Sequence, residues 1–307
     1  MKFDTRLRRV CSRCTESSIK TYTANIKALA KLAGLQAVPD SDGTWVNDSL
    51  LATIKREPLG RFKRFAIAGR KAIQAYAKQD ASWAQAVVDA TVQYDTFRNQ
   101  QKKTKREIEN WPKDGYGSLR RLAAELYEEE VLPILEEGSP EHATSGDLYK
   151  IQRHFVVLFY AWHALRGDLA EARIEPKGQN YIYLGAGNPQ KWRLHIGVHK
   201  TVRAHGAIDF ELAQPVADAL DVFLPYVRAM TTHGFLLTTL RTHGPMHRRD
   251  MLKMLRKITK ERLGKTLGVQ MIRVLRVSAA AEQINETTEL RRQMAHGAAT
   301  QFQYVSK

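Results

Sequence analysis

YKIQRHFVVLFYAWHALRGDLAEARIEPKGQNYIYLGAGNPQKWRLHIGVHKTVRAHGAIDFEL, residues 149–212, changes its hydrophobic period partway through, and that change sets the fold class. From Tyr149 to Leu165 the apolar residues Ile151, Phe155, Val156, Leu158, Phe159 and Trp162 cover much of a helical circumference. A helix apolar on so many sides belongs near the centre of a core. It delivers Arg166 at its end. Beyond it the pattern alternates: Tyr181–Leu184 and Arg193–Val198 read as short strands joined by the breaker-rich GAGNPQ, and Ala207–Leu212 reads as a third. Lys200 falls between the last two. The expected architecture is mainly α, with a small antiparallel β-sheet.

Helical patterns flank this segment. Leu119 to Leu135 reads as one, followed by a polar loop around Gly138 to Gly146. Pro215 opens another, running to Val227, at a position where proline is tolerated in a first turn. From Met246 the pattern is helical nearly to the end. Upstream, Ile19, Tyr22, Ile26, Leu29 and Leu32 recur at helical spacing between Ser18 and Ala33, with Gly34 placed to stop the helix. Lys20, Lys27 and Lys31 share another face of it. Leu59 to Lys78 interleaves Phe62, Phe65, Ile73 and Tyr76 with Arg61, Lys63, Arg64, Arg70 and Lys71. Such basic amphipathic helices could lie along phosphates or simply solvate an outer face.

Between Asn99 and Gly117 the chain turns polar, with Lys102, Lys103, Lys105, Arg106, Pro112 and two glycines, which reads as an interdomain linker. Its basic run also fits a nuclear localisation signal, a crossing over DNA, or plain solvation. The expected division is a helical domain over 1–105, a linker over 106–117 and a second domain over 118–307.

The chain has 307 residues, 43% hydrophobic and 26% charged, a globular composition with room for two cores. No apolar run reaches membrane-spanning length, and the N-terminus MKFDTRLRRV lacks the apolar stretch of a secretory signal. No membrane partner is expected, and an intracellular location is. Forty-eight Lys and Arg against 32 Asp and Glu leave a net charge of +16, which favours a polyanionic partner. The excess is shared, with 22 basic against 12 acidic residues up to Gly117 and 26 against 20 after it. The only cysteines, Cys11 and Cys14, could form half a zinc site, but no second Cys pair exists. Two reduced thiols near a mobile terminus are expected instead, with no bound metal and no cofactor.

From about Trp111 onward the sequence resembles the tyrosine recombinases (integrases), particularly the divergent members carried by large DNA viruses and eukaryotic transposons. Four stretches carry the resemblance. HALRGDLAEARI, residues 163–174, resembles the first arginine box, with Arg166 as its arginine; the common bacterial form has a glutamate where Leu169 stands, and the acid here is Asp168. HKTVRAHG places Lys200 where the family keeps a catalytic lysine in a hairpin, with Lys191 in reserve. QMIRVLRVSAAAE, residues 270–282, resembles the H-x-x-R box: Arg273 puts Gln270 in the histidine's place, while Arg276 would put Arg273 there. The first register leaves the separation to His296 closer to the family's. MAHGAATQFQY resembles the closing motif, with His296 preceding the nucleophile Tyr304.

The resemblance implies a helical core-binding domain followed by a tyrosine recombinase catalytic domain. The implied activity is cleavage and rejoining of double-stranded DNA through a covalent 3′-phosphotyrosine, on a dimer to tetramer assembled on that DNA. It also implies a mobile-element or viral setting, and a nuclear location in a eukaryotic host. The chemistry suits these residue types. Guanidiniums are planar, permanently charged forks that match the non-bridging oxygens of a phosphodiester under attack. Arg166 and Arg273 take that role. Gln270 and Arg273, three apart on a helix, can reach one phosphate together. By the resemblance Lys200 protonates the departing 5′ oxygen and His296 hydrogen-bonds the phosphate or assists proton transfer. A catalytically inactive DNA-binding relative and a type IB topoisomerase-like enzyme are the alternatives, the first favoured by Gln270 and Leu169.

Overall fold

The computed structural model describes residues 1–100, 102–281 and 294. The chain divides into two compact units, Met1–Gln100 and Gln101–Lys307.

The first unit is helical: α1 (Phe3–Val10), α2 (Glu16–Leu32), α3 (Asp48–Lys55), α4 (Leu59–Ala75) and α5 (Ala81–Asn99). Helix α4 is its axis, and the other four pack on it. The Thr15 hydroxyl caps α2 by accepting from Ser18 N, and Gly34 ends it at φ +80°, the expected stop. At Gly69 any Cβ would lie 2.0 Å from Cζ3 of the fully buried Trp83, so α4 and α5 approach closely only because that position is glycine. Of the apolar face read on α2, Ile19, Ile26 and Leu29 are buried, Tyr22 is half-buried and Leu32 is exposed; Phe62, Phe65, Ile73 and Tyr76 of the second stretch are buried, and Lys20, Lys27, Lys31, Arg61, Arg64 and Arg70 are exposed. Cys11 corrects one expectation. With Phe3 and Leu7 it is buried in this core, because α1 docks on α4 rather than trailing as a mobile end.

In the second unit, α6 (Lys105–Asn110) opens with a Thr104–Glu107 capping box. Asn110 Oδ1 accepts from Thr266 N at 2.8 Å, and the Glu109 carbonyl accepts from Lys265 Nζ at 2.9 Å. The single helix expected over Leu119–Leu135 is three pieces: α7 (Gly117–Leu126), a π-helical turn (Tyr127–Val131) and α8 (Leu132–Glu137). Pro133 explains the interruption. It has no N–H to give the carbonyl four residues back, and its ring crowds that carbonyl.

Helix α9 (Ser145–Trp162), capped by a Thr144–Asp147 box, is the central helix, and α7 packs against it together with α11 (Gln214–Met230) and α12 (Arg248–Leu263). The sheet is the one expected: β1 (Asn180–Leu184), β2 (Trp192–Ile196) and β3 (Ile208–Glu211), antiparallel in that order. Ile182, Leu194, Ile196, Ile208 and Phe210 face the core, while Tyr181, Tyr183, Arg193, His195 and Asp209 lie on the half-exposed face. A short helix, α10 (Val202–His205), lies in the β2–β3 connection, and α13 (Val269–Ala279) follows α12.

The core also holds a titrating group. Burial lowers the pKa of His154, on α9, to about 4 from 6.5. A depressed histidine contributes stability that is present above pH 6.5 and is lost as pH falls towards 4. That shift corresponds to about 3 kcal/mol. Thermal unfolding of the protein should therefore show falling stability across this window, and His154→Leu should flatten the profile.

Candidate active site

Arg166 leaves the end of α9 and caps a 3₁₀ turn, Gly167–Glu171. Its carbonyl accepts from the hydroxyl of the buried Tyr160 at 3.0 Å. Its Nη1 donates to Thr201 Oγ1 at 3.2 Å, which ties the end of the central helix to the β2–β3 connection. That connection is held at a second point by His199, a buried residue whose Nε2 lies 2.8 Å from the Gly206 carbonyl. A carbonyl can only accept, so Nε2 carries the proton. Nδ1 then accepts from the Thr201 N–H at 3.4 Å and faces the Thr201 hydroxyl at 3.3 Å. Lys200, between these two anchored residues, is exposed.

Asp168 is 5% exposed and is the carboxylate of the site. Burial raises its pKa, and the neighbouring Arg248, His199, Arg166 and Arg273 pull it back down. Arg248 Nη1 is 3.3 Å from Asp168 Oδ1. Helix α13 reaches the same place because Val274 and Val277 pack on Ala164, two residues before Arg166. Arg273 is buried and donates from Nη2 to the Met294 carbonyl at 3.1 Å.

The structure thus brings α13, with buried Arg273, to the end of the helix that delivers Arg166, and sets Lys200 next to the threonine that Arg166 grips. Gln270 differs from Arg273 in burial. It is exposed on the first turn of α13, although one helical turn separates the two. Arg276 turns instead to the ring of Tyr116, 5.4 Å away. Lys191 lies in the β1–β2 connection and pairs with Glu211 at 2.6 Å. His296 and Tyr304 lie outside the described residues.

Leu169 is fully buried apolar core, and of the two acids in this turn Asp168 is buried while Glu171 is exposed. Sequence reasoning missed His199, Thr201 and Arg248. The first two flank Lys200 and were findable as the polar neighbours of a candidate residue. Arg248 carried no local signal. Among the described residues no cluster of three or more His, Cys, Asp or Glu could hold a metal ion, and no helix is long and apolar enough to cross a membrane.

No protein-family model matches the chain, and no curated protein matches it. Among solved structures the chain is similar to the Tn1549 transposon integrase, determined in complex with transposon right end DNA. The identity is 12% and the TM-score 0.57, covering 100% of this chain and 95% of that one. A second match is XerA recombinase, at 12% identity and a TM-score of 0.41, over 99% of this chain and 94% of that one.

Proposed function

We propose that this chain, which has the tyrosine recombinase fold, is a site-specific DNA recombinase that cuts and rejoins double-stranded DNA through a 3′-phosphotyrosine at Tyr304. The observation that carries this reading is that α13 packs through Val274 and Val277 on Ala164, which brings buried Arg273 to the end of the helix that delivers Arg166, more than a hundred positions earlier in the chain. Two guanidiniums, Arg166 anchored on Thr201 and Arg273 on the Met294 carbonyl, suit an anion whose charge grows during reaction.

The Tyr304 hydroxyl loses its proton as its oxygen attacks phosphorus, and the bond to the 5′ oxygen breaks. Arg166 and Arg273 take up the charge on the non-bridging oxygens. Lys200 gives its proton to the departing 5′ oxygen. His296 hydrogen-bonds the phosphate or assists this transfer, and Gln270 offers a neutral amide where the family carries histidine. The ester keeps the energy of the original bond, so a free 5′ hydroxyl from another strand reverses the step without metal or nucleotide hydrolysis. The exposed lysines and arginines of α2 and α4 supply backbone contacts from the first unit. Exchange of strands between two sites needs several protomers, so we assign a dimer to tetramer on DNA. A mobile element or virus is the setting we assign, acting in the nucleus of a eukaryotic host.

Gln270 favours a second reading, an inactive relative that binds DNA without cutting it. The test is incubation, with a chelator present, with suicide DNA nicked beside the cleavage position and taken from the ends of the element that encodes the chain. A covalent adduct on a denaturing gel is expected. Tight binding with no adduct would select the second reading.

A further inference from the structure

The histidine's place in the H-x-x-R box is taken by a residue of different character. Gln270 carries no charge, and it is exposed on α13. A third cation nevertheless stands at the site, delivered by a different helix. Arg248 is the first residue of α12. A cation is disfavoured at a helix N-terminus, where the macrodipole is positive, so its place there is helped by compensation beyond that of Asp250 in the same turn. Asp168 supplies it, with Oδ1 3.3 Å from Arg248 Nη1. The stem of Arg248 lies across Gly167: a Cβ there would be 2.7 Å from Arg248 Nε and 3.0 Å from Cγ. Gly167 adjoins Arg166, and its missing side chain is what lets the Arg248 stem pack there. Arg248 also differs from Arg273 in access, its side chain being 42% exposed against 2% for the Arg273 residue. Nη1 meets Asp168, and the 42% exposure leaves part of the side chain within reach of solvent.

We propose that Arg248 is a third phosphate-binding arginine, donating to a non-bridging oxygen of the scissile phosphate in the role left by Gln270. This rests on the strand-transfer reading above. Asp168 orients Arg248 through the 3.3 Å contact, beside the Gly167 that follows Arg166. Five donors in a rigid plane allow Arg248 to hold Asp168 and a phosphate oxygen at once.

The experiment compares two suicide DNAs, one with the natural phosphodiester at the cleavage position and one with a methylphosphonate, which replaces a charged oxygen by a neutral methyl group. Wild type, Arg248→Ala and Arg248→Lys are assayed for the rate of adduct formation. A residue that neutralises the phosphate is needed only when the phosphate is charged. Arg248→Ala should lose about 10²-fold on the phosphodiester and only a few-fold on the methylphosphonate. Arg248→Lys keeps a cation beside Asp168, so it folds without stranding that buried acid; it should lose about 10-fold on the phosphodiester alone. Equal losses on both substrates would mean that Arg248 only supports the structure and would overturn the proposal, as would no loss on either. Failure of the strand-transfer reading itself would look different, since wild type would then form no adduct on the phosphodiester.

Discussion

Tyr304→Phe should abolish the covalent adduct on suicide DNA while leaving DNA affinity within a few-fold of wild type. The substitution removes one oxygen and nothing else, so a loss of adduct with binding intact separates chemistry from recognition. No other group can take over at a useful rate, because the attacking atom must form the bond that carries the DNA. A phenol is ionised to a small extent at neutral pH, its ordinary pKa being about 10. The cationic surroundings therefore have to favour the phenolate as it forms. Gel-shift and adduct assays on one preparation check both parts of this prediction, and an adduct persisting in the variant would place the nucleophile elsewhere.

The second large effect is expected at the two arginines. Arg166→Ala and Arg273→Ala should each slow adduct formation by about 10²- to 10³-fold, the loss associated with removing one donor from a developing oxyanion. Neither should abolish it, because the remaining guanidinium and Lys200 still act. The two losses should also fail to multiply in the double variant, since both residues face the field of Asp168 and their effects are coupled. Arg273 is buried, so its replacement needs a melting curve beside the rate. Arg273→Lys tests the fork, keeping the charge while losing bidentate geometry. A change of less than about tenfold for Arg273→Ala would contradict its role in the transition state.

Much of this fold was legible because burial imposes a period. The core side of α9 and the alternation in β1, β2 and β3 were both readable, and the ends of these elements moved by only a few residues. Capping chemistry helped at Gly34, where a positive φ stops α2. The π turn at Tyr127–Val131 was hidden, because Pro133 sits in an otherwise helical pattern and its effect falls on backbone bonds rather than on apolar spacing. Cys11 was misplaced because α1 is only eight residues long and its docking depends on α4.

The candidate site was legible only as positions along the chain. Arg166 follows directly from the end of the central helix, and Lys200 from the gap between two strands. The choice between Arg273 and Arg276 was not decidable by spacing, since residues three apart point roughly the same way. Packing separates them: Val274 and Val277 seat α13 on Ala164, with Arg273 towards Asp168 and Arg276 towards Tyr116. Arg248 could not be read at all. Its partner is 80 residues away, and the approach depends on a glycine whose sequence neighbours gave no hint of it.

The central claim is that a tyrosine of this chain becomes joined to DNA. The most direct measurement is to trap the adduct on suicide DNA, digest it with nuclease and trypsin, and locate the nucleotide-bearing residue by mass spectrometry. A 3′-nucleotide on the peptide containing Tyr304 is the predicted result. A nucleotide on any other residue, or no adduct on authentic element ends that the protein binds tightly, would contradict it.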